Sequence, residues 1–243
     1  MNETEILDLL KLNEEVYKLI DGYLNIRFSN LKCRTPYWRD KNFVDKSKNI
    51  KGFLGGKGLP VEIEEEIFRK IDKLSDDQMP NSNKELFAWL KKSKIGVDCS
   101  GLAFAILRSI ASTRGDHEWE SRIVATSGGN LNNEKRFRTN ANTLTSDVNS
   151  RKLLASERLR LGDLFRLMSG KHVMIILGEL KNKTYYIHSS GETVIEGVHM
   201  GYFYKIDEDN LEFDKEDILK NESTWNDVIN EENEDGVYRM KGW

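Results

Sequence analysis

Cysteine and proline are scarce in this chain, histidine is rare, and there is no long apolar run. Two cysteines, Cys33 and Cys99, stand among 243 residues. Two are too few for a disulfide framework, so both are expected reduced. Neither belongs to a C-x-x-C pair of the kind that holds zinc, so no structural metal is expected, and no cofactor. No stretch approaches the length of apolar residues that crosses a bilayer. The opening MNETEILDLLKLNEEVYKLI is acidic and its apolar residues are interrupted by charges. A secretory signal needs a basic start and an unbroken apolar core. The chain is therefore expected in the cytoplasm, or exported by a non-classical or phage-like route. A formal net charge of -3 gives no general pull toward nucleic acid or an anionic membrane.

The composition that remains is that of a globular domain, with 38% hydrophobic and 32% charged residues. The length suits one domain spanning 1–243, with an N-terminal helical segment at about 1–34 and a helical insertion at about 43–95. Ile6, Leu9, Leu10, Val16, Leu19 and Ile20 recur at helical spacing, predicting a helix over 3–21. Residues 40–60 read as a loop, ending in Gly55-Gly56-Lys57-Gly58. That run lacks the spacing and the Ser/Thr of a phosphate-binding loop. Pro60 can open a helix through Leu74, and a second follows with Leu86, Phe87 and Leu90.

Residues 98–110 are apolar nearly all round, which predicts a buried helix. A strand is expected at 122–126 and a long irregular loop at 127–150. Strands follow at 163–168, 172–177, 184–188, 193–195 and 202–206, then a short helix near Trp225 and an edge strand at 237–240. Helices first and strands afterwards is an α+β order, with helices packed on an antiparallel sheet.

Cys99 is where chemistry is expected. It stands in the first turn of the buried helix, where free backbone N–H groups and the positive end of the helix dipole favour thiolate over thiol. The same N–H groups can serve a developing oxyanion. Asp98 can cap the helix, and Ser100 and Gly101 leave room for a substrate. Position alone also suits a buried inert cysteine. His172 opens an apolar strand, and His188 ends the next apolar run. Neighbouring antiparallel strands could bring both rings to one side, one as base and the other as its orienter. His199 could border the same cleft. His117 reads as surface, Cys33 as a small buried hydrophobe, and Lys135-Arg136-Phe137-Arg138 as a solvated basic face.

Asp98-Cys99-Ser100-Gly101-Leu102, Leu161-Gly162-Asp163-Leu164, His172-Val173 and Ile187-His188 together resemble the motifs of the NlpC/P60 family of cysteine peptidases, of the papain-like superfamily. Thr35-Pro36-Tyr37 is similar to that family's T-P-Y segment, though two expected helices intervene before Cys99. The resemblance implies a papain-like core. It also implies cleavage of amide bonds in peptidoglycan peptides or muropeptides, typically between D-glutamate and a diamino acid. On that resemblance Cys99 is the nucleophile, His172 the general base and acid, and His188 the holder of its imidazole. Tyr37, Asp98 and Ser100 would border substrate or oxyanion. Two other functions fit a Cys-then-His order. One is a transglutaminase-like acyltransferase, for which Asp207 is the nearby carboxylate. The other is a non-catalytic module that binds wall fragments or a protein partner.

Overall fold

A computed structural model describes residues 3–40, 52–75, 78–125, 134–205 and 211–243. The expected N-terminal helix is two. Helix α1 (Glu3–Leu10) stops at Lys11, whose φ of 51° is left-handed. Helix α2 (Glu14–Leu24) restarts with the Asn13 side chain accepting a hydrogen bond from the Glu15 N–H. Hydrophobic spacing runs through this break because both helices bury the same side, with Leu7, Val16, Ile20 and Tyr23 in one core. Strands β1 (Ile26–Phe28) and β2 (Leu31–Cys33) form a hairpin.

The insertion forms α3 (Pro60–Ile71) and α4 (Asn83–Lys92). Pro60 sits in the first turn of α3, where its missing N–H costs nothing. The Glu62 carboxylate accepts from the Leu59 N–H at 2.7 Å. Ser82 caps α4 through the Glu85 N–H. These helices pack on the β1–β2 hairpin, and α3 also on α2, so the added mass lies beside the hairpin.

Helix α5 (Cys99–Thr113) is the apolar helix expected, and twelve of its fifteen residues are buried. It is followed by two single-turn helices, α6 (Trp119–Arg122) and α7 (Ala141–Leu144). The strand expected at 122–126 is therefore a helix end followed by irregular chain through 125. Trp119 is buried against Phe104 of α5 with ring centroids 5.2 Å apart, and that packing fixes the helical turn. Within the supposed loop at 127–150, Arg136 is buried and meets Glu62 of α3 through two hydrogen bonds of 2.7 and 2.8 Å. It joins the insertion to the body and does not face solvent.

The main sheet has seven antiparallel strands: β3 (Ser150–Lys152), β4 (Leu164–Leu167), β5 (His172–Leu180), β6 (Lys183–Ser190), β7 (Gly197–Lys205), β8 (Leu211–Phe213) and β9 (Gly236–Met240). Their spatial order is β3-β9-β4-β5-β6-β7-β8. The final strand was expected at an edge; it lies between β3 and β4. Arg239 of β9 is buried there and gives Asp163 two hydrogen bonds of 2.8 Å. The strand expected at 193–195 is one bridge, Thr193↔Leu219, because this segment pairs with the later 218–220 segment.

Alternation along the strands divides the core. Val173, Ile175, Leu177, Ile187 and Val198 pack with α5, while Phe165, Met174, Ile176, Tyr186 and Phe203 pack with Phe213, Leu219 and Trp225. The architecture is α+β, helices on an antiparallel sheet. Among the described residues no helix is long and apolar enough to cross a membrane.

Candidate active site

Asp98 is the N-cap of α5, and its carboxylate accepts from the Gly101 N–H at 2.6 Å. Val97, just before it, is held from three directions. Its N–H donates to Pro36 O at 3.0 Å, and its carbonyl accepts from Ser189 Oγ at 2.7 Å. It also bridges both Tyr37 and Lys57. Strands β5 and β6 pair only from Ile175↔Ile187 onward. Before that pair, toward the start of β5, both strands instead meet the chain entering α5: Ser189 binds Val97, and the Val173 N–H reaches the Cys99 sulfur.

The sulfur thus lies against the amide that follows His172. Among the described residues no hydrogen bond joins thiol and imidazole directly. Such contacts commonly tighten only when substrate is bound. The structure brings His172 and His188 together, with His172 Nε2 2.8 Å from His188 Nδ1. Beyond His188 the network continues. His188 Nε2 is 3.2 Å from Asp217 Oδ2, and His199 Nε2 is 3.0 Å from Asp217 Oδ1. Tyr186 donates its hydroxyl to Asp217 Oδ2 at 2.6 Å. His172 is stacked on Trp225, with centroids 5.0 Å apart and planes 14° apart.

These partners orient the ring protons. A carboxylate accepts, so His188 donates from Nε2 and its Nδ1 is left to accept. His172 then donates from Nε2, and its Nδ1 carries the free lone pair. Burial, and then the neighbouring His188, hold the His172 imidazole well below its usual range. Burial also lowers His188, partly offset by Asp217. Burial alone would raise the Asp217 carboxyl; the charges and hydrogen bonds of His188 and His199 outweigh it and hold the group far below the usual carboxylate range.

Lys57, whose glycine-rich run reads as a loop without phosphate-binding spacing, is a central part of the site. Its side chain is buried, and Nζ lies 2.8 Å from Asp98 Oδ1, 2.5 Å from Ser100 Oγ and 3.1 Å from Thr139 O. The Gly-Gly-Lys-Gly run therefore brings a cation under the start of α5. Gly56 in that run has φ +88°, and any side chain there would meet Trp38 O at 2.1 Å. Tyr37 reaches the site despite the intervening insertion. Burial first, and then the nearness of Cys99 and Asp98, push its phenol far above the usual range.

The expectation of a lowered Cys99 thiol is reversed. Burial, followed by the Asp98 carboxylate, pushes it up to about 11, while Lys57 and the Val173 N–H pull the other way. The sulfur's residue is only 6% exposed and His172 7%, so the helix dipole does not compensate for lost hydration. Alkylation by iodoacetamide should accordingly rise about tenfold per pH unit from pH 6.5 to 9.5, because only thiolate reacts and its fraction grows until the pH nears the pKa. A rate that is flat across that range would mean a preformed thiolate and contradict this resting state.

Sequence reasoning did not single out Asp217, Trp225 or Lys57. Asp217 stands in an acidic stretch with no spacing to mark it, and it reaches the histidines because the 218–220 segment binds the 192–194 segment. His199 is fully buried within the network; His117 is exposed, as expected. Both cysteines are free, Cys33 half-buried and Cys99 buried. Asp207 lies outside the described residues. His188, His199 and Asp217 together offer two ring nitrogens and a carboxylate oxygen, all within 4.8 Å of one another. A cleft of about 530 Å³ lined by Lys152, Leu154, Phe165, Lys205 and Asn226 shares none of the site's residues. Compared with family models, with curated proteins and with solved structures, the chain finds no match in any of the three.

Proposed function

We propose that this chain is a cysteine hydrolase with a papain-like core, resembling NlpC/P60 peptidases, that cleaves amide bonds in cell-wall-type peptides. The observation that carries the reading is a pair of arrangements meeting at the start of β5: a cysteine at a helix start whose sulfur accepts from the Val173 N–H, and the neighbouring residue His172, whose imidazole is backed by His188 and Asp217. The motifs shared with that family suggest the substrate, a muropeptide or peptidoglycan peptide cut between D-glutamate and a diamino acid.

In this mechanism the substrate carbonyl binds over the first turn of α5. The N–H groups of Cys99 and Ser100 face the developing oxyanion; the Gly101 N–H is already taken by Asp98. Cys99 attacks the carbonyl carbon as its proton passes to His172 Nδ1. The imidazolium so formed keeps its Nε2–H on His188 Nδ1. His172 then protonates the departing amine, the C–N bond breaks, and a thioester remains. Water attacks the thioester, giving its proton to His172, and the thiol and a carboxylic acid are released. Lys57 offsets the negative charge of Asp98, which would otherwise oppose thiolate formation in the transition state.

Mass spectrometry of products from a defined muropeptide set, wild type against Cys99→Ala, tests the reading. The expected result is two fragments whose masses sum to substrate plus one water, formed by the wild type only. Adding a primary amine separates hydrolysis from acyl transfer, since a transferase would join the acyl fragment to the amine. Unchanged substrate under all conditions, with tight binding retained, would make the chain a binding module.

A further inference from the structure

His188, His199 and Asp217 meet in three contacts that protons alone serve badly. His199 Nδ1 is 2.9 Å from the Gly197 carbonyl, which can only accept, so Nδ1 carries a hydrogen. His199 Nε2 lies 2.9 Å from His188 Nε2 and 3.0 Å from Asp217 Oδ1, and His188 Nε2 lies 3.2 Å from Asp217 Oδ2. The carboxylate accepts, so each ring must donate to it. Two N–H groups then face each other at 2.9 Å. If either ring drops its hydrogen, its contact with the carboxylate becomes lone pair against lone pair. While Asp217 is ionised, the three contacts cannot all alternate donor and acceptor.

A cation satisfies all three at once, because two ring lone pairs and one carboxylate converge on it. The two ring nitrogens are 2.9 Å apart, His199 Nε2 is 3.0 Å from Asp217 Oδ1, and one ligand atom from each residue lies within 4.8 Å of the others, so an ion at ordinary bond lengths of about 2.0–2.2 Å can reach all three. Each ligand already has an outer partner of the kind metal sites use. Gly197 O holds His199 Nδ1, Tyr186 OH holds Asp217 Oδ2 at 2.6 Å, and His172 Nε2 meets His188 Nδ1 at 2.8 Å. The buried Trp225, packed on both His172 and His188, has an indole N–H with no partner among the described residues.

We propose that His188, His199 and Asp217 bind one divalent transition-metal ion, Zn²⁺ foremost. Two imidazoles and one carboxylate suit zinc and its neighbours, whereas calcium and magnesium prefer all-oxygen sites. The binding stands on ligand geometry. Its consequence rests on the hydrolase reading. A metal on His188 Nε2 places that ring's hydrogen on Nδ1, facing His172 Nε2. The bond between the two rings then runs in the opposite direction, and His172 can no longer donate through Nε2 while holding the thiol's proton. The loaded protein is the switched-off form, and metal release restores the relay.

The test uses the full chain after chelator treatment, titrated with Co²⁺ and followed by visible absorption, then challenged with Zn²⁺. One equivalent of Co²⁺ should give visible d–d bands without a sulfur charge-transfer band, and Zn²⁺ should abolish them. Cys99→Ser should keep the spectrum. His199→Ala and Asp217→Asn, checked for folding by circular dichroism, should each weaken binding by about 100-fold or more, since loss of an outer partner alone costs ~10–100-fold. His199→Gln serves as the second variant should His199→Ala unfold. No spectrum at excess Co²⁺, unchanged affinity in a folded His199 variant, or loss of the spectrum in Cys99→Ser each overturns the site. None of these readings needs a turnover. A catalytically silent chain that binds Co²⁺ through His199 and Asp217 removes the hydrolase reading alone. An active chain that gives the Co²⁺ spectrum but is indifferent to Zn²⁺ overturns the switch, and an active chain with no Co²⁺ spectrum overturns the site while leaving the hydrolase reading intact.

Discussion

Cys99→Ala, His172→Ala and the double variant should all lose amide hydrolysis to about the same extent, roughly 10⁴-fold or more in kcat/KM. The two groups act on one proton and one bond. Without the thiol there is no nucleophile for His172 to assist. Without His172, a thiol held up at about 11 by burial has no acceptor for its proton in the transition state. Removing the second group from an enzyme already lacking the first therefore costs almost nothing more. Independent roles would instead multiply, and the double variant would fall by the product of the single losses. Folding of each variant is checked by circular dichroism, since truncating the buried His172 opens space against Trp225 and takes a partner from His188. Initial rates on one cleavable muropeptide, with all three variants in parallel, decide it. Multiplying losses would end the claim that sulfur and imidazole work as a unit.

The second large effect is on stability. Lys57→Met should destabilise the fold by about 3–5 kcal/mol, read from urea unfolding at constant m-value. The Lys57 and Asp98 side chains are 3% and 8% exposed and 2.8 Å apart. Removing the ammonium leaves a carboxylate buried with only the Gly101 N–H and the Ser100 hydroxyl as donors. Methionine fills similar space, so the loss reports the uncompensated charge and not a cavity. Lys57→Met with Asp98→Asn should recover a good part of it, because no lone charge remains in the interior. A single-variant cost under about 1 kcal/mol, the range of an exposed ion pair, would mean that water reaches Asp98 after all.

The parts of this protein that could be read from sequence are those where one local pattern carries the information. The buried α5 declares itself by an apolar surface on every side, and its start by Asp98. His172 and His188 stand at the ends of apolar runs that pair as neighbouring strands, so their meeting at 2.8 Å follows from a hairpin. What was hidden depends on distant partners. The break at Lys11 leaves no mark in a hydrophobic pattern that continues across it. β9 looks like an edge because nothing local reveals that β3 will pair outside it. Asp217 is one carboxylate in an acidic stretch until the 218–220 segment docks on 192–194. Lys57 stands in a glycine-rich run that reads only as a loop without the phosphate-binding spacing; its burial depends on a helix start that comes later in the chain. The reversed behaviour of the thiol has the same origin. A helix terminus can be read locally, but the packing that strips water from it cannot.

Lys57 and Val97 bridge each other, and α3 and α4 lie between them in the chain. That clasp makes the helical pair a detour which leaves and rejoins the body at a single point. Closing such a detour grows dearer only with the logarithm of its length, about 0.6 kcal/mol for each doubling. Extra length between the two helices therefore strains the neck little, while α3 and α4 themselves stay bound to the core through Ile63, Ile67, Leu86 and Leu90. Separation along the chain between Tyr37 and Cys99 then carries almost no information about how near they sit, because the clasp sets their distance whatever hangs beyond it.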